Sequence, residues 1–364
     1  MRRLVLGILT CLVLCAPALA SDAQDELYDA LDVAEAEEAL PDEARDILGD
    51  VGVEDAMEPE GMLSRLAGAA WDKLGSLWRP AAGAAAKLVA IALLCSVASA
   101  FTDGSTARYV GLAGCLAVSA VAFSDAGSCI EAGVAALDDL QTFSRALLPS
   151  LTAAAAAGGA VTSAAAKYAA TALFMDILMT AARTLLLPLA YVCLAARTAS
   201  AALDSPAIDG ASKLITKVTG IATTAIMTAF TAWLGITGAV SGAADAVTSR
   251  AAKTAISAAL PVVGGVISDA ASTVVAGAGL LKSAVGAFGL IAAASVCLVP
   301  FLMLGLRYLF YKAAAALAAA FADKRVSGLI NELGGVFGMV LGVVGAAALM
   351  LFISIISVTK AVSG

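Results

Sequence analysis

The chain has 364 residues, of which 61% are apolar, 14% charged and none histidine, and its formal net charge is −7. A soluble domain carries roughly 45–50% apolar and about 25% charged residues, so this chain has too few charges to coat a soluble surface. The absence of histidine also excludes the Ser-His-Asp triad and histidine-based zinc sites, and the composition reads as an integral membrane protein.

The charge is split along the chain. Residues 21–60 hold 16 of the 29 acidic residues and only Arg45 as a base, whereas residues 61–364 hold 19 Lys and Arg against 13 acids. The acidic balance therefore describes one short segment.

Met1-Arg2-Arg3, the apolar run Leu4 to Cys15 and Ala18-Leu19-Ala20 make a charged start, a short hydrophobic stretch and an A-x-A site. This pattern predicts a signal peptide over 1–20, the apolar run being shorter than the ~20 residues that span a bilayer. The remaining cysteines, Cys95, Cys115, Cys129, Cys193 and Cys297, are widely spaced and contain no CxxC pair. They read as small apolar residues, not as a disulfide framework or metal site.

Residues 21–80 form an acidic extracytoplasmic leader. Short amphipathic helices are expected there, broken at Pro41, Gly49 and Pro59, in a segment with too little apolar area for its own core. Either solvent or a docking partner would cover it. Its last part, 61–79, combines Trp71 and Trp78 with Lys73 and Arg79, a mixture suited to the lipid headgroup layer.

Spanning helices are predicted over 81–101, 108–127, 168–196, 213–240, 286–310 and 330–357, each long enough to cross ~30 Å of hydrocarbon. The stretches 147–166 and 261–282 are apolar, rich in small residues, open with Leu-Pro and contain Gly-Gly. Re-entrant hairpins and full crossings both fit them. Leu148-Pro149 and Leu260-Pro261 lie 112 residues apart, as do Pro188 and Pro300. This spacing predicts two membrane repeats, 128–240 and 241–358, after two N-terminal helices in 81–127 and before a short tail, 359–364. Pro149, Pro188, Pro261 and Pro300 are the expected hairpin or kink positions. The fold class is thus an all-α polytopic membrane protein of six to eight transmembrane helices with two re-entrant-like hairpins in a tandem repeat.

Basic residues follow the kinked helix in both repeats: Arg197, Lys213 and Lys217 in one, Arg307, Lys312, Lys324 and Arg325 in the other. The positive-inside rule puts both sets in the cytoplasm and both termini outside.

Gly334, Gly338 and Gly342 form a four-residue stripe that lets another helix approach, either within the subunit or from a second copy in a homo-oligomer. Charges within spans flag functional positions. Asp176 and Arg183 share a helix face at about 10 Å, too far to bond each other. Asp269 and Lys282 lie in or beside the second hairpin and, with Pro261, are expected to shape the central region. The matching positions for Asp176 and Arg183 in the second repeat are Phe288 and Ser295. The repeats are expected to pack through small-residue faces. No phosphate loop, dinucleotide fingerprint, nucleophile elbow or cysteine cluster occurs, so no enzyme activity, cofactor or metal is expected. The scattered basic residues do not suggest nucleic-acid binding.

Leu147-Leu148-Pro149, Gly158-Gly159 with Thr162-Ser163-Ala164, and Leu260-Pro261-Val262-Val263-Gly264-Gly265 with Ser268-Asp269-Ala270 resemble the stage III sporulation protein AE family. So do the run Leu280 to Gly286, Tyr311-Lys312-Ala313-Ala314 and Asp323-Lys324-Arg325. The resemblance covers about 140–358. It implies a multi-pass protein in the mother-cell membrane around the forespore of an endospore-forming bacterium. It further implies a subunit of a secretion-like intercellular channel needed for late forespore development. The implied partners are the other stage III sporulation A proteins, including a cytoplasmic ATPase, and the forespore-side stage II sporulation protein Q. The family supplies no catalytic residue. The alternative is a solute transporter or permease acting during sporulation.

Overall fold

In lipid every backbone N–H and C=O must be satisfied within the protein, and a chain built from Ala, Leu and Val meets that demand by forming helices. A computed structural model describes residues 33–49, 59–102, 105–157, 161–203, 206–259 and 264–360, the side chains of 237–282 and of 33, 34, 36, 59, 60, 105, 161, 163, 186, 206 and 360 excepted. The expected signal peptide, Pro261 and the last residues of the tail lie outside the described residues.

Two short helices, α1 (Val33–Glu38) and α2 (Asp42–Leu48), precede six long ones. These are α3 (Pro59–Ala100), α4 (Ser105–Ala157), a helix in two parts, then α7 (Pro206–Ala259), α8 (Gly264–Ala318) and α9 (Lys324–Lys360). The two-part helix consists of α5 (Val161–Ala181), a π-helical turn over Ala182–Leu186, and α6 (Leu187–Leu203). Among the described residues six helices are long and apolar enough to cross a membrane, and each overlaps one of the spans expected from sequence.

The leader breaks where its sequence predicts. Pro41 precedes α2, Gly49 ends it at a positive φ of 79°, and Pro59 opens α3. Its surroundings differ from those of a solvated segment, because Leu40, Ala44, Ile47 and Leu48 are buried. Arg65 donates to the Leu48 carbonyl at 2.9 Å, and Lys73 pairs with Glu43 at 3.2 Å. A two-turn helix cannot cover its own apolar face, and here the bundle covers it. The expected interfacial segment 61–79 is likewise continuous with the first span, as α3 runs through Pro80.

The Leu-Pro pair at 148–149 does not open a hairpin. Helix α4 passes through Pro149 to Ala157, and α8 passes through Pro300. Proline removes one backbone donor, but in lipid other groups re-satisfy the freed carbonyls. Pro149 withholds a donor from the Arg145 carbonyl, and beside it the Ser150 and Thr152 hydroxyls donate to the adjacent carbonyls of Ala146 and Leu148 at 3.4 and 2.5 Å without replacing that bond. Pro188 follows directly on the π turn, a common irregularity of helices. Helices α4, α7 and α8 have 53, 54 and 55 residues, about 80 Å each against ~30 Å of hydrocarbon. Among the described residues the stretch expected as the first hairpin therefore opens within the end of α4, while the Leu-Pro opening of the second lies outside them.

Three turns meet at one end of the bundle. Ser96 donates to the Phe321 carbonyl at 2.7 Å, joining the α3–α4 and α8–α9 turns. Arg197 reaches Glu332 at 3.0 Å, adding the end of α6. Toward the opposite end, Lys167 donates to the Ser357 carbonyl at 2.7 Å and the Thr171 and Ser354 hydroxyls bond each other, tying α5 to the end of α9.

The antiparallel α8–α9 pair shows what the glycine stripe does. A Cβ on Gly334 would lie 3.0 Å from Tyr311, and one on Gly338 3.0 Å from the Tyr308 ring, while Gly342 faces open space. Tyr311 also meets Phe337 edge-on at 4.8 Å. Small residues serve between the halves too: a Cβ on Gly133 would come within 2.9 Å of Val340, and one on Gly289 within 2.5 Å of Leu147. Gly338→Leu must displace Tyr308 and is predicted to cost about 1–3 kcal/mol, whereas Gly342→Leu should stay within about 0.5 kcal/mol of the parent. Thermal unfolding of both variants in detergent checks this ranking.

Candidate functional site: charges between the helices

Three groups of charged side chains join different helices of the bundle. In the first, Arg307 and Tyr311 stand one turn apart on α8 and converge on Asp125 of α4. The carboxylate meets the guanidinium at 2.5 Å and accepts the tyrosine hydroxyl at 2.8 Å. Both charged side chains are largely withdrawn from the surface, at 12% and 15% exposure. Sequence reasoning used Arg307 only as a topological marker and passed over Asp125. The i, i+4 spacing of Arg307 and Tyr311 was the available signal, but their acidic partner lies on a helix far away in the chain.

The second group lies near the end where the turns gather. Arg197 of α6, 9% exposed, pairs with Glu332 of α9 at 3.0 Å and approaches Asp209 of α7 at 3.9 Å. Lys213 holds Asp209 at 2.6 Å, and Lys312 donates to the Asn331 side chain at 2.8 Å. Of the basic residues expected on one side of the membrane, Arg197, Lys213 and Lys312 thus each have an oxygen partner in this group, while Arg307 belongs to the first.

Asp176 and Arg183 make the third group. They do not touch each other; each reaches α4. Arg183 pairs with Asp138, and Arg145 pairs with Asp176 at 3.5 Å. The Gln141 amide adds a bond to Asp176 at 3.3 Å. Both helices space their charges seven residues apart with opposite polarity, so the antiparallel register that forms one pair also forms the other. A slip of one turn would oppose like charges or leave them unpaired. This ladder borders an open groove of about 760 Å³ whose walls include Glu131, Leu187, Pro188 and Tyr191.

Phe288 and Ser295, the positions that the expected repeat matches to Asp176 and Arg183, are buried, and the Ser295 hydroxyl donates to the Ile291 carbonyl at 2.9 Å. One half therefore shows charge at these positions where the other packs inward. Asp269 and Lys282 belong to α8, but their side chains lie outside the described ones, as does Pro261 altogether. Among the described residues, no three Cys, Asp or Glu side chains converge as a metal site.

Compared with known families, residues 82–362 match the model for stage III sporulation protein AE. No match is found among curated proteins or among solved structures.

Burial ranks the pairs. Asp125→Ala strands Arg307 without a counter-ion and is predicted to cost about 3–5 kcal/mol, and the double change Asp125→Leu with Arg307→Met should recover most of it. Arg183→Ala removes a half-exposed partner and should cost about 1 kcal/mol or less. Denaturation of the four proteins in one detergent checks the order.

Proposed function

The chain belongs to the stage III sporulation protein AE family, and from that membership we propose that it is a non-enzymatic membrane subunit of a secretion-like channel between mother cell and forespore. Sporulation follows from the family, and membrane residence from the six apolar helices. The observation that carries the reading is the extent of the match, which takes in every long helix but the first part of α3.

Helix length supports a role in joining layers. Helices of about 80 Å extend well beyond the hydrocarbon and carry surfaces to structures on either side. In this reading the end bearing Arg197, Lys213 and Lys312 faces the mother-cell cytoplasm, where the complex's ATPase acts. The leader helices α1 and α2 lie on the other side, toward the forespore and the stage II sporulation protein Q. The other stage III sporulation A proteins cover lateral faces of the bundle, and the membrane that holds it is the mother-cell membrane surrounding the forespore. The protein works through packing and paired charges, with no cofactor.

Tagged full-length protein, purified in mild detergent from sporulating cells, tests this proposal. The other stage III sporulation A proteins should co-purify at a constant ratio, and vesicles holding the pure chain alone should show no saturable solute uptake. A chain that purifies alone and drives saturable uptake by itself is a permease.

A further inference from the structure

At the end where the turns gather, a cavity of about 390 Å³ opens between the α3–α4 and α8–α9 turns. Its walls include Ser96 and Ser99 of α3, Arg108 of α4, Phe321 and Asp323 of the second turn, and Arg325 of α9. Two arginines and one aspartate thus line the cavity. That carboxylate is already engaged: Asp323 accepts the Arg325 backbone N–H at 3.2 Å just before α9 begins. The Ser96 hydroxyl is also used, on the Phe321 carbonyl at 2.7 Å. Arg108 is exposed and forms no ion pair among the described residues. The cavity therefore offers a positive surface with a hydroxyl at Ser99 and an arginine that can take an anion.

The same region carries a collar of exposed apolar side chains. Leu94, Val97, Phe101 and Tyr109, on the helices and turn that build the cavity, lie open at the surface. In a membrane-spanning bundle such side chains face acyl chains, and tyrosine favours the headgroup level. A basic recess beside lipid-facing apolar residues at the membrane boundary matches a phospholipid with an anionic head, whose phosphate enters while its tails stay outside. A free phosphate would use the recess but not the collar.

We propose that this cavity binds an anionic phospholipid, with Arg108 and Arg325 holding its phosphate and the Leu94–Tyr109 collar contacting its acyl chains. The site belongs to the bundle itself and does not depend on the channel reading.

Full-length protein in neutral detergent, titrated with phosphatidylglycerol, phosphatidylcholine or glycerol 3-phosphate and followed by native mass spectrometry, tests the proposal. Phosphatidylglycerol should bind at least about tenfold more tightly than either of the others, as expected for a charge-assisted contact. Arg108→Gln should weaken it about tenfold. Lys217→Gln, which alters an exposed base away from the cavity, should leave it unchanged. Arg325→Gln provides a second removal of charge from the same wall. Phosphatidylglycerol binding that survives both arginine changes overturns the proposal, as does equal binding of phosphatidylcholine. Glycerol 3-phosphate binding as tightly as the lipid replaces it with a site for a soluble phosphate.

Discussion

Arg197 and Glu332 stand far apart in the chain, and their contact at 3.0 Å depends on how the whole bundle is assembled. Removing a charge from water is costly, and in a membrane-spanning helix the compensation must come from a neighbouring side chain. Asp125 with Arg307 and Tyr311 imposes the same condition between α4 and α8. Both contacts cross between the two halves of the membrane region or its entry helices. Apolar faces alone leave helices in lipid free to slide and rotate, because lipid tails are as apolar as leucine. Directional charge pairs and close glycine contacts supply the missing specificity here.

The regions expected from sequence as two repeats, 128–240 and 241–358, pack differently. In the first, α5 and the π turn carry Asp176 and Arg183, respectively, to matching charges on α4, close to Pro188. In the second, the corresponding positions are Phe288 and Ser295, turned into the core, and Tyr308 and Tyr311 seat against the glycines of α9. The first half keeps a polar, open flank while the second forms the denser interior.

Hydropathy made the six spans legible, because burial in lipid acts on each segment by itself. The leader breaks were legible for a similar reason, since Pro41, Gly49 and Pro59 act locally. What the sequence did not disclose is set by distant partners. Asp125 attracts no notice until Arg307 and Tyr311 are placed beside it, and the apolar residues of α2 have no visible destination until the bundle supplies one. Of the two roles expected for Pro149, opening a hairpin is not seen, for a physical reason: a residue that breaks helices in water can be retained in lipid, where the alternative is exposed backbone. The face shared by Asp176 and Arg183 was readable, but not the α4 residues opposite it.

Common placement of the α3–α4, α6–α7 and α8–α9 turns on the cytoplasmic side is the central claim. Side-specific labelling of single cysteines tests it most directly, in full-length protein with Cys95 replaced and an impermeant maleimide applied from outside. Thr102→Cys, Ala207→Cys and Ala320→Cys should be protected together, and Ala157→Cys and Ala259→Cys should react. Reaction of Ala157→Cys and Thr102→Cys from the same side would contradict the arrangement.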